Sequence, residues 1–576
     1  MTPAKFLPTT AEELRTLGWS QCDVILVSGD AYIDSPYIGI AVVGRILEAM
    51  GLKVGIIAQP DIKTDIDIKR LGEPKLFWGV SGGSVDSMVA NYTAAKKFRK
   101  SDDYTPGGIN NRRPDRAVLI YTNLIRQYFK NTVPIVLGGI EASLRRVTHY
   151  DYWSNNLRKP ILFDSKADYL IYGMGEEAIK ELASALQNKT DTQNIRGICY
   201  IANTPRQDYI ALPSHEECLE NKERYIDLFD LFYNNNDPIS AKGLCQKVGT
   251  RYLIQNPPCR YLSQPEMDTV AALPYTRKLH PYHAKYGKVK CMETIGYSIT
   301  THHGCWGECN FCAIGVHQGR TIRTRSEASI IAEATNFTKD KDFKGIISDL
   351  GGASANMYGY ECDKKLKHGT CEHQRCVDHN RLCKVMKPNH ARLISLMRSI
   401  RKIKGIKKAF VASGIRYDII AKDKAHGQAY LRELLAHHIS GQMKIAPEHT
   451  EDGVLRLMGK PGKQSLIEFK KMFDDINKKQ EKKQFLTYYL IAAHPGCTER
   501  DMQSLKNFTT KELRINPEQA QVFTPTPGTY SSVMYYTGLD PKTRKPIFVE
   551  KDMAKKEKQK SIVVSKENFS GSVFSS

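Results

Sequence analysis

The sequence predicts an α/β protein in two parts: an N-terminal Rossmann-like parallel sheet domain, followed by a (βα)6-type partial TIM barrel. Three observations support this prediction. The chain has 576 residues, more than the roughly 250–300 residues that one hydrophobic core usually serves. A strand–helix–strand pattern lies near the start of the chain. After residue 291, strand and helix patterns alternate six times without a hairpin signal.

The N-terminal part begins with a βαβ unit. The apolar run "CDVILVSGD" (22–30) predicts a buried strand. The segment "SPYIGIAVVGRILEAMG" (35–51) has apolar residues at helical spacing and ends on Gly51, a typical C-cap. "LKVGIIAQP" (52–60) predicts a second strand, which runs parallel to the first because a helix connects them. Further strands are predicted at 76–83, 116–122, 134–143 and 167–179.

Residues 186–290 are less regular and are interpreted as a connector, so that the N-terminal domain with its connector spans residues 1–290. A second part, the core, spans residues 291–550. Its helical patterns lie at 326–339, 390–403, 429–440 and 465–479. Its predicted strands lie at 293–301, 345–352, 408–414, 441–449, 485–496 and 519–528. A Cys-rich insert occupies residues 360–385, and we expect the Lys- and Ser-rich tail, residues 551–576, to be disordered.

The composition is that of a globular protein, with 41% apolar and 25% charged residues. No run of about 18 apolar residues predicts a transmembrane helix, and the N-terminus lacks the apolar stretch of a secretory signal. We therefore expect a cytoplasmic protein without a membrane partner. The formal charge of +22 is compatible with a nucleic-acid partner, although dispersed lysines are also typical of solvated helix faces.

Three of the fourteen cysteines stand together in "HHGCWGECNFC", at C-x3-C-x2-C spacing: Cys305, Cys309 and Cys312. They follow a predicted strand, at the edge where a parallel barrel carries its chemistry. In a reducing compartment such thiols are typical of metal sites. Thiolates bind both zinc and iron–sulfur clusters, so the ligand type leaves both open. A zinc site would need a fourth ligand, for which the nearby candidates are His302, His303 and His317.

With Phe311 directly before its last cysteine, this loop resembles the cluster loop of the radical S-adenosylmethionine (SAM) superfamily. The resemblance implies that Cys305, Cys309 and Cys312 hold a 4Fe–4S cluster whose open iron binds SAM, and that Phe311 belongs to the cofactor site. It also implies reductive cleavage of SAM to a 5′-deoxyadenosyl radical. The electron would come from a low-potential donor, such as a flavodoxin- or ferredoxin-like protein.

The segment after the second strand of the core, "SDLGGASANMYG" (348–359), resembles the glycine-rich segment that approaches the SAM amino group in this superfamily. The resemblance implies contacts from Gly351, Gly352 and Ser354. Ala353 stands where many members have Glu, which puts the contact of that position in doubt. A plain glycine-rich turn is the alternative.

Two later strand ends also resemble SAM contacts. "VASGIRYD" (411–418) implies contacts from Ser413 and Arg416 with the ribose and carboxylate, and "KIAPEH" (444–449) implies that Glu448 lies near the adenine. An exposed loop arginine and a helix-entry loop are the corresponding structural alternatives. "PTPGT" (525–529) is similar to the end of the core in the methylthiotransferase and elongator groups of the superfamily.

Across residues 5–560 the chain resembles the YgiQ-type family of uncharacterised radical SAM proteins. The segments that support this are "GIAVVGRILEAMGLKVGIIAQP", "VLGGIEASLRR", "HHGCWGECNFCAIGVHQGR" and "SDLGGASANMYG". The resemblance implies an α/β domain ahead of the radical core. It implies no substrate.

The insert holds a second group of cysteines, Cys362, Cys371, Cys376 and Cys383. Four cysteines within a short segment predict a second metal site, either a structural zinc or an auxiliary 4Fe–4S cluster. Unliganded thiols are the third possibility. Spare ligands in the same segment are His368, His373 and His379.

Many radical SAM enzymes carry a cobalamin-binding α/β domain ahead of the core, and the order of domains here is similar. The usual Asp-x-His-x-x-Gly pattern of the axial histidine is absent, because the segment from Asp34 to Gly39 contains no histidine. We therefore do not expect cobalamin. A degenerate Rossmann-like domain that contacts the substrate or a partner is the favoured interpretation.

Taken together, the motifs predict a radical SAM enzyme. The basic charge and the "PTPGT" segment favour RNA or protein over a small molecule as substrate. The alternative is a non-catalytic iron–sulfur or zinc protein that binds nucleic acid. A third possibility is a nucleotide-binding α/β protein with incidental cysteines.

Overall fold

The computed structural model describes residues 5–372, 374–379, 381–481 and 483–565. The first half of the chain forms a nine-stranded sheet with helices on it, and the second half forms a series of parallel strands alternating with helices. This mixed architecture confirms the predicted α/β class, while the partial TIM barrel stays a prediction. Within the described ranges, no helix combines the length and the apolar character that crossing a bilayer requires.

The strands of the first half are β1 (Val24–Ser28), β2 (Val54–Ala58), β3 (Phe77–Ser81), β4 (Ile135–Gly138), β5 (His149–Asp151), β6 (Asn156–Arg158), β7 (Tyr169–Ile171), β8 (Ile198–Ala202), β9 (Ile210–Leu212), β10 (Leu244–Val248) and β11 (Arg251–Gln255). All except the β5–β6 hairpin belong to one sheet with the order β2-β1-β3-β4-β7-β8-β11-β10-β9. The first five strands of that order are parallel. β8 is antiparallel to both its neighbours, so the far part of the sheet is mixed.

The helices of the first half are α1 (Ala11–Thr16), α2 (Gly39–Ala49), α3 (Ile66–Lys69), α4 (Ser87–Asn91), α5 (Ala117–Tyr128), α6 (Gly139–Ser143), α7 (Ile161–Ser165), α8 (Glu176–Asn188), α9 (His215–Glu220), α10 (Lys222–Asn234), α11 (Gln264–Ala271), α12 (Pro281–Ala284) and α13 (Met292–Ile295). The predicted βαβ unit is confirmed as β1, α2 and β2, whose two strands pair in parallel register from Val24 opposite Val54.

Two predictions for the first half are wrong. Residues 117–122 belong to helix α5 and not to a strand: the buried residues Ala117, Val118, Tyr121 and Ile125 recur at helical spacing, and a short apolar run does not distinguish the two states. The supposed connector, residues 186–290, contributes strands β8–β11 to the sheet. β8 (ICYIA) is an uninterrupted apolar run that sequence reasoning passed over, whereas Gln246 and Lys247 interrupt the apolar pattern of β10.

The strands of the second half are β12 (Ser298–Thr300), β13 (His302–His303), β14 (Arg323–Thr324), β15 (Ile346–Ile347), β16 (Asp349–Gly351), β17 (Val377–Asp378), β18 (Arg381–Leu382), β19 (Lys408–Ala409), β20 (Gln442–Glu448), β21 (Phe485–Ala492) and β22 (Gln521–Val522). β12 pairs in parallel with β16, and β15 with β19. A parallel bridge joins Ile415 to Ile445 of β20, which continues in parallel to β21 and β22. The parallel pairings thus follow the order of the chain.

The helices of the second half are α14 (Ile314–His317), α15 (Glu327–Phe337), α16 (Asp363–His368), α17 (Ala391–Arg401), α18 (Tyr417–Lys422), α19 (Gly427–His437), α20 (Asp452–Met458), α21 (Lys463–Lys479), α22 (Glu499–Lys511), α23 (Tyr530–Thr537) and α24 (Met553–Val564). They include all four helices predicted for this part of the chain. The insert at 360–385 contains α16 and the antiparallel pair β17–β18.

The predicted disorder of the tail is wrong for residues 553–564, which form α24. Lys556, Gln559 and Val563 are buried on one face of this helix, and the Gln559 side-chain oxygen accepts a 3.0 Å hydrogen bond from the Ala493 N–H. The high lysine content hid this narrow buried face. Residues 566–576 of the predicted tail lie outside the described residues.

The two halves share a hydrophobic core. The largest apolar cluster joins strands and helices of the first half to side chains of the second half, among them Val316, Phe523, Val533 and Tyr535. A separate cluster fills the space between the strands of the second half and helices α15, α17, α19 and α21. The shared core brings the cysteine loop of the second half against the first half.

Candidate active site

The three cysteines lie on a loop that begins directly after β13. The β13–β14 pair closes the loop at its base, and the Cys305 N–H donates a 3.1 Å hydrogen bond to the Gly319 carbonyl oxygen. Gly304 adopts a φ of +86°, and a Cβ there would lie 2.4 Å from the Thr321 carbonyl oxygen. Only glycine fits this close approach without strain, and it turns the chain into the cysteine segment.

All three cysteines are free thiols, and their sulfurs are close enough to influence one another. Burial, reinforced by the charge of Cys309, raises the pKa of Cys305. Burial together with the charges of Cys309 and Cys305 raises the pKa of Cys312 to about 12. The thiolate forms therefore need a positive partner, such as a metal cluster or a buried cation.

Arg416 supplies one such cation. Its Nη1 donates to the Cys309 sulfur at 3.8 Å, while its Nε and Nη2 each donate to Asp418 at 2.8 Å. Burial disfavours the charged form of Arg416, but Asp418 and the neighbouring thiols favour that form more strongly. The pKa of Arg416 is therefore raised. The sequence assigned Arg416 to SAM; the structure places it against a cysteine sulfur, held by Asp418.

Sequence reasoning missed a second cation, Lys460. This lysine is buried, lies 4.0 Å from a carboxylate oxygen of Glu448, and its charge partly offsets the raised pKa of Cys312. Glu448 itself ends β20 with a φ of +68°, and its pKa is raised by burial, against the opposing effect of Lys460. A lysine in "MGKPGK" carried no motif that would have identified it.

The glycine-rich strand end meets the next strand end closely. Asp349 accepts a 2.8 Å hydrogen bond from the Ala412 N–H and also bonds the Ser413 side chain. A Cβ on Gly351 would lie 2.7 Å from the Ser413 Oγ, and one on Gly352 would lie 2.8 Å from the His302 ring. The structure therefore brings Gly351, Gly352 and Ser413 together, around an aspartate that sequence reasoning missed.

Ser354 links this strand end to the cysteine loop. Its Oγ lies 3.6 Å from the Cys305 sulfur, and its carbonyl oxygen lies 3.1 Å from His302 Nε2. Phe311, by contrast, is half-buried among apolar residues of the shared core, with its ring 6.3 Å from that of His494. Its contacts are those of a packing residue, and its assignment to the cofactor site stays a prediction.

The residues present fit a 4Fe–4S cluster by the chemistry of the donor set. Three free thiols lie on one loop, and a guanidinium and an ammonium group lie beside them to balance thiolate charge. Thiolates are the ligands that iron–sulfur clusters take in proteins. Cys305, Cys309 and Cys312 are thus the residues that would hold the cluster.

The second cysteine group is only partly assembled. Cys362, Cys376 and Cys383 share a small apolar cluster with Trp306 and Cys305, whereas Cys371 is not part of it. In the described part of the chain, no three His, Cys, Asp or Glu side chains are grouped closely enough to hold a metal ion as they stand, the triplet of Cys305, Cys309 and Cys312 included, so the fit of that triplet rests on its donor chemistry. His373, a suggested spare ligand, lies outside the described residues. The second metal stays a prediction.

A cavity of about 500 Å³ lies between the two halves, next to the site. On one side it is lined by the carboxyl ends of β1, β3, β4 and β7, where an open α/β sheet places its ligands. On the other side it is lined by residues of the predicted SAM site, including Gly351, Gly352 and Ser413. Burial lowers the pKa of His317, which also lines the cavity, to about 4, so its imidazole is neutral.

The fold and the site together define a class: a mixed α/β protein whose cysteine loop follows the first strand of a parallel series. Comparison with known proteins agrees with this. Residues 6–298 match the family described as Radical SAM N-terminal. The UPF0313 protein of Fusobacterium nucleatum is 58% identical over 563 residues, covering 98% of this chain and 99% of the relative. The UPF0313 protein of Thermotoga maritima is 48% identical over 564 residues, covering 97% and 99%.

The chain therefore belongs to the UPF0313 family of radical SAM proteins, which confirms the resemblance to the YgiQ type. Among solved structures, the radical SAM methyltransferase TsrM from Kitasatospora setae, with cobalamin and a [4Fe–4S] cluster bound, has a TM-score of 0.49 at 15% identity, covering 89% of this chain and 77% of its own. The cobalamin-dependent SAM radical enzyme OxsB has a TM-score of 0.48 at 13% identity, covering 85% and 52%.

Proposed function

We propose that the protein is a radical SAM enzyme in which Cys305, Cys309 and Cys312 hold a 4Fe–4S cluster. Bound there with SAM, the cluster would supply the electron that cleaves SAM reductively to a 5′-deoxyadenosyl radical, which then acts on a substrate. One observation carries the proposal: the cysteine loop and the glycine-rich strand end meet, with the Ser354 Oγ 3.6 Å from the Cys305 sulfur. Membership of the radical SAM family supports it.

In this proposal, the residues of the chain bind and orient the cofactors, and they exclude water from the site. Arg416, fixed by Asp418, holds a positive charge against Cys309. Gly351 and Gly352 border the cavity, and because they carry no Cβ, Ser413 and His302 can pack closely against this strand end. Buried Trp306 and Met357 belong to the apolar cluster against which Cys305 packs, and such packing would exclude water from the reactive centre.

The test is anaerobic. The protein is reconstituted with iron and sulfide, reduced with dithionite and given SAM, and 5′-deoxyadenosine is quantified. We expect wild type to form it and Cys309→Ala to lose both the product and most of the cluster absorbance. Cys199→Ala is the matched control, because Cys199 is a buried free thiol on β8, away from the loop.

Two outcomes would contradict the proposal. One is stoichiometric iron that Cys309→Ala retains in full. The other is a cluster whose EPR spectrum does not change when SAM is added and which yields no 5′-deoxyadenosine, as expected for a non-catalytic binding protein.

Several expectations from the sequence stay predictions. They are the flavodoxin- or ferredoxin-like electron donor, the RNA or protein substrate, the cytoplasmic location and the lack of cobalamin. For cobalamin, the relevant segment contains Asp34, whose carboxylate is buried and paired with Arg45.

A further inference from the structure

The cavity between the two halves has the size of a small-molecule site. Its volume of about 500 Å³ lies within the range of roughly 300–1,000 Å³ that is typical of ligand pockets. Both halves contribute to it: helix α2 and the ends of β1, β3, β4 and β7 from the first, and the strand ends of the predicted SAM site from the second. Gly351, Gly352 and Ser413 line one end of the cavity, so SAM at these residues would leave the part between the halves for a second molecule.

The wall formed by the first half is mainly aliphatic. Side chains from α2, β3, β4 and the start of α6 line it, namely Ile40, Val42, Val43, Val80, Val136 and Ile140. Val42 and Val43 are half-buried on α2, at the face that borders the cavity. Such a wall favours apolar surface on the ligand, because burying that surface removes it from water.

The charges of the wall do not suit an anion. Among the described residues that line the cavity there is no lysine, and the one arginine, Arg325, is bound to Glu333 and to the Thr300 carbonyl oxygen. The carboxyl groups of Asp30 and Asp349 also face it. Burying an anion without a positive partner is costly, and a phosphate or sulfonate group would find no free lysine or arginine among these lining residues.

We propose that this cavity is the substrate site and that the substrate is a neutral, largely apolar small molecule. The inference rests on the proposed function, because it takes the neighbouring strand ends to hold SAM. It departs from the macromolecular substrate that the net charge favours: a polyanionic RNA backbone would need the free cations that this wall lacks.

Two dyes with the same ring system test the chemical class. N-phenyl-1-naphthylamine is neutral, and 8-anilino-1-naphthalenesulfonate adds one sulfonate. In fluorescence titrations of the full chain, we expect the neutral dye to bind at a 1:1 ratio and roughly tenfold or more tightly than the sulfonate, because the sulfonate would be buried unpaired. Equal or tighter binding of the sulfonate would overturn the proposal.

Variants locate the dye. Val43→Trp fills the cavity from α2 and is expected to weaken binding of the neutral dye by about tenfold. Val89→Trp is the matched control, since Val89 is an exposed valine on α4 that does not line the cavity. If Val43→Trp does not fold, Val42→Phe replaces it. Wild-type affinity in a folded cavity variant would place the dye elsewhere and refute the site.

A labelled oligouridine provides the competing outcome. If it binds with strong salt dependence and the neutral dye displaces it, the substrate is RNA and the proposal is wrong. None of these titrations uses iron or SAM. If SAM is not cleaved but the protein still prefers the neutral dye, only the proposed function is rejected. If SAM is cleaved but the preference for the neutral dye is absent, only the substrate class is rejected.

Discussion

At the scale of single residues, charge balance around the cysteines is the main feature. The thiols of Cys305 and Cys312, whose pKa values are raised, would be poor ligands on their own. Arg416 and Lys460 place positive charge beside them. The sequence predicted the cysteines from their spacing and marked Arg416 as functional, but it could not show that Asp418 turns the guanidinium toward Cys309. That arrangement depends on contacts between side chains of separate segments.

We predict that Arg416→Met lowers the reduction potential of the reconstituted cluster. A positive charge a few ångströms from a redox centre favours the added electron, and its removal is worth on the order of 100 mV at the effective dielectric of a protein site. EPR-monitored redox titration measures the shift. Arg416→Lys should keep the reduction potential close to that of wild type, because it retains the positive charge.

The control for this prediction is Arg45→Met. Arg45 is another buried arginine paired with an aspartate, Asp34, and both of these residues lie in the first half of the chain. It should leave the potential unchanged. If Arg416→Met and wild type titrate at the same potential, Arg416 does not act on the cluster through its charge. The double variant Arg416→Met with Asp418→Asn separates this effect from that of an unpaired buried carboxylate.

At the scale of elements, the reliable predictions are those with a long and regular pattern. The βαβ unit and the four helices predicted for the second half are confirmed. Helix α5 was mistaken for a strand, and α24 for disorder, because a short apolar run or a narrow buried face leaves little periodicity to read. Helix α24 depends on contacts with neighbouring segments, because the Gln559 side chain bonds the backbone of Ala493 and Cys497.

We predict that Gln559→Ala lowers the free energy of unfolding by about 1–3 kcal/mol, the typical cost of leaving a buried backbone group without its partner. The affected group is the Ala493 N–H, which donates to the Gln559 side chain at 3.0 Å. Urea unfolding followed by circular dichroism measures the change. Glu557→Ala, at an exposed position of the same helix, should change stability far less. Equal effects of the two variants would mean that Gln559 does not anchor α24.

At the scale of the whole molecule, the two halves depend on each other. Phe523 and Tyr535 pack into the largest apolar cluster of the first half, and the rings of Tyr150 and Tyr535 lie 5.9 Å apart. Arg544 bonds Asp227 and Asp230 across the same boundary, at 3.1 Å and 3.0 Å. The predicted boundary near residue 290 therefore separates the chain into segments that share buried surface.

We predict that residues 1–290 expressed alone do not form a stable unit. Without the second half, the side chains that cover the shared core are missing, and the exposed apolar surface favours aggregation. Size-exclusion chromatography and thermal unfolding measure this, with the full chain as control. Coexpression with residues 291–576 should restore a cooperative transition. A monomeric fragment that unfolds as cooperatively as the full chain would contradict the prediction.

The sequence by itself determined the α/β class, the cysteine loop, the glycine-rich strand end and the family, because each is carried by residues close together in the chain. Only the tertiary structure decided the pairing of Arg416 with Cys309, the role of Lys460 and the cavity between the halves. These features join segments more than a hundred residues apart, and their geometry follows from side-chain packing that local patterns do not encode.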